Sequence, residues 1–276
     1  MNTRRRGFFQ PLPLLTGGRA LLLRVLMLPN FLLTRASGLE HLAGTEGPRI
    51  FAFNHNNSFE AIMVPVFLIH EFGGRTISFV IDWMYGKVPV LGRLMDLIEP
   101  IYVYSKRSRL PWIEARRPAT AVPDTLERCL QKLIAGRSIG IFPEGRRNRN
   151  PETLMQGKPG IGHIALKSGV AVVPVGIDFE SRRKRGKIPS IGRTIIRVGR
   201  PLHFPRQTEA YQAIALEGSG SGRMNGELNG MAAGVTREIM LCLAELSGKQ
   251  YRESCSAKSL CVNESTNNPK EMLCPV

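Results

Sequence analysis

Short apolar runs rich in β-branched residues recur along the chain, each bounded by Gly, Pro or charged residues. The runs Arg49 to Phe53, Ile77 to Ile81, Ile101 to Tyr104, Ser138 to Phe142, Val170 to Val175 and Thr194 to Val198 predict strands. Between them, apolar residues at helical spacing predict helices over Phe59 to Ile69, Val90 to Ile98, Thr125 to Ala135 and Gly160 to Lys167. This alternation predicts an α/β fold, a mostly parallel sheet flanked by helices. In such folds the loops that follow strands are the expected place for chemistry.

The flanks read differently. Residues 1–37 are basic and apolar. Their longest apolar stretch, Ala20 to Leu33, is interrupted by Arg24, Pro29 and Asn30 and falls short of the ~18 residues a spanning helix needs. It predicts an N-terminal amphipathic helix lying in a membrane interface, with Leu21, Leu22, Leu23, Val25, Leu26, Met27 and Leu28 buried in lipid and Arg19 and Arg24 reaching to headgroups. A core helix with two surface arginines is the other reading. The opening Met1-Asn2-Thr3-Arg4-Arg5-Arg6 has the charge of a signal peptide, but no small-residue cleavage site follows cleanly. Residues 38–205 hold the α/β domain. Residues 206–247 read as a linker, marked by Glu217-Gly218-Ser219-Gly220-Ser221-Gly222, followed by a helix over 231–247. From Gly248 the chain is polar and expected to be disordered.

Composition narrows the partners. With 276 residues, 43% of them hydrophobic, the chain has material for a substantial core. A formal net charge of +16 draws it to an anion, whether nucleic acid, an anionic membrane or a phosphorylated substrate. Nucleic acid is disfavoured, because no recognised motif occurs and aromatic residues are not interleaved with the basic runs. Cys129, Cys242, Cys255, Cys261 and Cys274 form no CxxC pair and no zinc-ligand spacing with His. No disulfide framework and no metal are expected, and a reducing compartment is the plainer setting.

Four segments carry candidate chemistry. Asn54-His55-Asn56-Asn57-Ser58-Phe59-Glu60 follows a strand and opens a helix. A Glu60 carboxylate in the first helical turn can hold one imidazole nitrogen of His55 and leave the other as a base for a hydroxyl. Taken alone, the segment reads more simply as a turn histidine and a carboxylate that favours the helix N-terminus. Ile141-Phe142-Pro143-Glu144-Gly145-Arg146-Arg147-Asn148-Arg149 runs from a strand into a tight turn and three arginines, suited to phosphate or to an ordinary basic loop. Glu99 to Arg107 is a strand ending in the cations Lys106 and Arg107. Val172-Val173-Pro174-Val175 puts a proline in a strand run, which suggests an edge, a bulge or a strand end.

In order and spacing these four segments resemble the four blocks of the glycerolipid acyltransferase family, in its bacterial 1-acyl-sn-glycerol-3-phosphate acyltransferase branch. The resemblance covers roughly residues 36–200. It implies that His55 is the general base and Glu60 the acid that orients it, acting on the acceptor hydroxyl as that hydroxyl attacks a thioester. It implies further that Glu144, Gly145 and Arg147 belong to the acceptor-phosphate block, with Arg146 an added cation. Lys106 or Arg107 would stand in for the third block's arginine. No bound cofactor is implied, and acyl-CoA or acyl-carrier protein is the expected donor. Three departures bear on the acceptor: Glu60 replaces the usual Asp, Arg146 the usual Thr, and Tyr104-Ser105 the usual acid and Arg. The expected product is phosphatidic acid, made at the cytoplasmic face by a monotopic protein. Acylation of another lysolipid, such as a lyso-ornithine lipid, and lipid binding without transfer are the alternatives.

Overall fold

A computed structural model of the protein describes residues 7–42, 47–55, 60–89, 92, 95, 98–118, 124–181, 192–217 and 222–252. In chain order its elements are α1 (Gly17–Leu33), β1 (Thr34–Ser37), β2 (Ile50–Phe53), α2 (Glu60–Glu71), β3 (Ile77–Asp82), β4 (Ile101–Val103) and a short α3 (Pro111–Glu114). There follow α4 (Thr125–Ile134), β5 (Ser138–Ile141), β6 (Thr153–Leu154), α5 (Gly160–Ser168), β7 (Val172–Ser181), β8 (Gly192–Val198), α6 (Pro205–Leu216), α7 (Gly222–Ser247) and β9 (Gln250–Tyr251).

Seven strands form the main sheet in the order β1-β8-β7-β2-β5-β3-β4. The pairs β7–β2, β2–β5, β5–β3 and β3–β4 are parallel, while β8 runs antiparallel to β7. Side chains alternate across the pleat. Phe51, Phe53, Val173, Val175 and Ile177 therefore face one layer, made by α1 and α2, around Leu23, Met27, Val64 and Phe67. Ile50, Ala52, Ile139 and Ile141 face the other, where Cys129, Leu133, Ile161, Ile164, Val235 and Ile239 pack. The result is a three-layer α/β fold of the expected class.

Strand boundaries follow the apolar runs to within a few residues, apart from β7, whose ladder with β8 carries it six residues beyond Val175 to Ser181. Pro174 departs from its reading. It lies in β7, an interior strand, where the ladder to β8 begins, and its carbonyl accepts the Gly199 N–H at 2.8 Å. The missing N–H thus costs no rung of the ladder proper. The stretch expected as a linker differs more. Pro205 occupies the first turn of α6, which runs to Leu216 and buries Tyr211, and α7 already begins at Gly222. A fixed φ suits Pro to a helix start, and that signal outweighs the glycines and serines further on. Most of the predicted helix Val90 to Ile98, residues 182–191 and the chain beyond 252 lie outside the described residues, whereas Gln250–Tyr251, expected in a disordered tail from Gly248, form β9.

In α1, Ala20, Leu23, Met27 and Asn30 are buried. Asn30 donates from Nδ2 to Met63 O (3.1 Å) and accepts from Thr34 Oγ1 (2.6 Å), which ties α1 to α2 and to β1. Leu21, Leu22, Val25, Leu28 and Leu32 remain exposed. Leu23 and Met27, expected in lipid, instead face the core. Arg24, expected to reach outward, turns to the N-terminal segment and donates to Gln10 O at 3.2 Å. Among the described residues no helix is long and apolar enough to cross a membrane.

The fold leads to a stability prediction at the strand that carries the site. Phe53 is fully buried, with ring centroids 5.3 Å from Phe79 and 5.5 Å from Phe142. Phe53→Ala should cost ~3–5 kcal/mol in a denaturant titration, while Leu32→Ala, at an exposed position, should leave the midpoint nearly unchanged.

Candidate active site

The site forms where β2 and β5 end side by side. Their parallel register sets Ala52 beside Ile141, so the loops after both strands emerge together. Asn54 continues the sheet with its side chain in place of a strand. Its Nδ2 donates to Ile177 O at 2.8 Å, and its Oδ1 accepts the Ile177 N–H at 2.6 Å. A fully buried amide so satisfied holds the chain straight up to His55.

The loop after β5 then grips His55 from both sides. Glu144 accepts the His55 backbone N–H on Oε1 at 2.9 Å and the Met155 N–H on Oε2 at 2.9 Å. The Asn148 N–H donates to His55 O at 2.7 Å. Gly145 makes this geometry possible. Its φ of +66° closes the turn, its N–H donates to Phe142 O at 2.9 Å, and a Cβ there would sit 2.8 Å from Lys158 Cε. Asn148 also donates to Thr153 O, at the start of β6. Because β6 pairs with β9, the chain after α7 fastens the same loop.

The His55 ring packs against Phe142, centroids 4.6 Å apart. Burial lowers its pKa from 6.5 to about 4, and the cations Arg147 and Lys106 push in the same direction. The ring is thus neutral at physiological pH, the state a general base requires. Its Nδ1 is buried and has no hydrogen-bond partner among the described residues. Burial raises the Glu144 pKa, against the pull of the two backbone N–H groups.

The expected site residues divide accordingly. His55, Glu144, Gly145, Arg146 and Arg147 come together; Gly145 and the two arginines are exposed, while Glu144 is buried. Both oxygens of Glu144, expected at the acceptor phosphate, are taken up by backbone N–H groups. Lys106 pairs with Asp82 at 2.9 Å on the β4 side, and Arg107 is exposed beside it. Glu60 begins α2 five residues after His55, with its side chain outside the described set. Asn148 and Lys158 went unread in the sequence. Lys158 lines, with Glu144, Arg146, Met155, Gln156, Gly157 and Pro159, a cavity of about 470 Å³. Its two cations suit an anion. Among the described residues no cluster of His, Cys, Asp or Glu suits a metal.

Comparison with known proteins identifies the family. Residues 34–178 match the family model described as Acyltransferase. The chloroplastic 1-acyl-sn-glycerol-3-phosphate acyltransferase of Arabidopsis thaliana is 30% identical over 140 residues, which are 50% of this chain and 34% of that protein. Its Brassica napus counterpart is 30% identical over 147 residues, 52% of this chain and 37% of that one. The match thus spans little more than a third of the length of these plant relatives. The crystal structure of the 1-acyl-sn-glycerophosphate acyltransferase from Thermotoga maritima superposes with a TM-score of 0.48 at 20% identity, over 82% of this chain and 81% of that one.

The depressed pKa carries a pH prediction. A histidine with a lowered pKa keeps its free base down to that value, so His55, if it is the base, would be ready at neutral pH and lost as pH falls through about 4. The kcat/KM of acyl transfer should stay level from pH 7.5 to about 5 and fall below that. A midpoint at or above 6.5 would show that burial does not govern the ring.

Proposed function

Because the chain belongs to the acyltransferase family, we propose that it transfers a fatty acyl group from a thioester donor to the hydroxyl of a lysophospholipid. The favoured acceptor is 1-acyl-sn-glycerol-3-phosphate, giving phosphatidic acid. The observation that carries this reading is the half-buried His55, its pKa lowered and its backbone clamped at both N–H and C=O. A positioned imidazole of this kind takes a proton from a hydroxyl, and nothing in the arrangement calls for a covalent acyl-enzyme.

In this reading Glu60 is the acid that would orient the ring at Nδ1, a nitrogen without a hydrogen-bond partner among the described residues, and Nε2 is the base. The acceptor oxygen attacks the thioester carbonyl as Nε2 takes the hydroxyl proton. The tetrahedral intermediate collapses, the ester forms, and the thiolate leaves with the proton from Nε2. The acceptor phosphate lies toward Arg146 and Arg147; Lys106 and Arg107 follow β4, which lies beyond β5 from β2 in the sheet. Acyl-CoA or acyl-carrier protein supplies the thioester. The plant relatives bear the name of this reaction, and the acceptor is carried over from that name. The exposed leucines of α1 support a monotopic attachment, with the site at the cytoplasmic face where three N-terminal arginines would be retained.

The test is transfer of labelled acyl groups to a panel of lysolipids, from acyl-CoA and from acyl-carrier protein. Lysophosphatidic acid should be the best acceptor, and a preference for an uncharged or ornithine headgroup would overturn that choice. His55→Ala should lose ~10²–10⁴-fold in rate. Glu60→Gln should lose most of the rate, and Glu60→Asp should keep part of it. Arg147→Ala should weaken acceptor use tenfold or more, as expected for a lost charge-assisted hydrogen bond of ~1.5–3 kcal/mol. Wild-type turnover in a folded His55→Ala protein would end this mechanism.

A further inference from the structure

A second exposed apolar surface lies after β4, on elements the transfer chemistry does not use. Leu110 and Trp112 are 49% and 45% exposed at the start of α3, and Tyr85 is 51% exposed on the short turn against which α3 packs. The surface is held rigidly from below. Ile113 is buried, and Trp83 is buried as well, stacked on Tyr104 and donating from Nε1 to Lys106 O at 3.0 Å.

The charge around it is one-sided. Glu114 is the acid of α3, and it is occupied: Oε2 accepts the Ser108 N–H at 2.7 Å and Oε1 pairs with Arg117 at 3.3 Å. The Ser108 bond, ahead of the Arg117 contributions, holds its pKa below the usual value. Lys87, Arg109 and Arg116 are exposed around the apolar residues, and the Arg116 guanidinium lies 5.5 Å from the Trp112 ring centre. Exposed Trp, Tyr and Leu collared by cations match the headgroup layer of an anionic bilayer, where an indole takes an apolar side and a wet side together.

Topology places this surface at the same end of the sheet as the other exposed apolar one, at the opposite edge. β1 pairs parallel with β8, and β8 runs antiparallel to β7, so β1 starts at the end of the sheet where β2 and β4 finish. The C-terminal end of α1, with Leu28 and Leu32 exposed, therefore lies at the same end as His55 and the chain after β4.

We propose that Tyr85, Leu110 and Trp112, framed by Lys87, Arg109 and Arg116, form a second membrane-contact surface that seats the catalytic end of the sheet on an anionic bilayer. With α1 as one contact and this surface as the other, the site mouth is fixed toward the lipid plane. The proposal takes the attachment of α1 from the reading above, but it is measured separately from acyl transfer.

The chain has two tryptophans, and Trp83 is 1% exposed, so Trp112 is a built-in reporter. The full chain is titrated with phosphatidylglycerol–phosphatidylcholine vesicles containing brominated acyl chains. Trp emission should shift to the blue and be quenched, and both changes should vanish in Trp112→Phe. Leu110→Asp with Trp112→Asp should lower vesicle affinity more than tenfold, and Arg109→Gln and Arg116→Gln about fivefold each. Transfer to a monomeric short-chain lysolipid should stay at the wild-type rate in these variants, while transfer to a vesicle-borne lysolipid falls. Vesicle binding without quenching, or quenching that persists in Trp112→Phe, overturns the proposal. So does a Trp112 response to acyl-carrier protein alone with none to vesicles, which would make the surface a protein dock.

Discussion

The Glu144 carboxylate is the joint between the two loops of the site. Only 2% exposed, it accepts one backbone N–H from the loop after β2 and one from the segment before α5. A carboxylate taken out of water loses several kcal/mol of hydration, and hydrogen bonds to a charged group return ~1.5–3 kcal/mol each. The bonds to His55 and Met155 are therefore the condition for Glu144 to be buried at all. In return they fix His55 relative to β5. Asn148 completes the clamp at the His55 carbonyl, and β9 holds the far end of the same loop. The chain within reach of the substrate is thus organised by contacts 89 residues apart in sequence.

That rigidity suits a base that must be neutral and aimed before the acceptor arrives. Phe142 and the core beneath it keep the imidazole uncharged, and the cations Arg147 and Lys106 add to the effect. The same cations attract an anionic acceptor. In the proposed reaction one electrostatic field would serve two tasks, lowering the base's pKa and gathering a phosphate. In that proposed reaction, once the imidazole takes a proton the same surroundings favour its loss, which would help return it to a leaving thiolate.

The elements legible in the sequence were those whose own residues decide them. β2, β5 and β7 are buried on both faces, so their near-continuous apolar runs marked them without alternation. β1 went unread because it follows α1 directly, with no Gly or Pro between, and its pairing with β8 reaches some 160 residues along the chain. The glycines and serines at 217–222 drew attention from Pro205, and α6 was lost to a linker. Asn30 reads as a break in an apolar helix, yet its partners Met63 and Thr34 make it a buried joint. Likewise His55 and the Phe-Pro-Glu-Gly turn stood out by residue type, whereas the work of Glu144 and Asn148 is on backbone groups. Backbone partners leave no trace in the identity of the residue that supplies them.

The claim most worth measuring is that Glu144 acts through His55. A double-mutant cycle in kcat/KM isolates this coupling. Glu144→Gln keeps one acceptor and loses the other, and should lower the rate of the intact protein by roughly 5- to 100-fold, as expected for a buried N–H left unpaired at ~1–3 kcal/mol. In the His55→Ala background the same substitution should cost almost nothing, because the group it positions is gone. An equal loss in both backgrounds, with both proteins folded, would contradict the account and make Glu144 a residue that acts on substrate by itself.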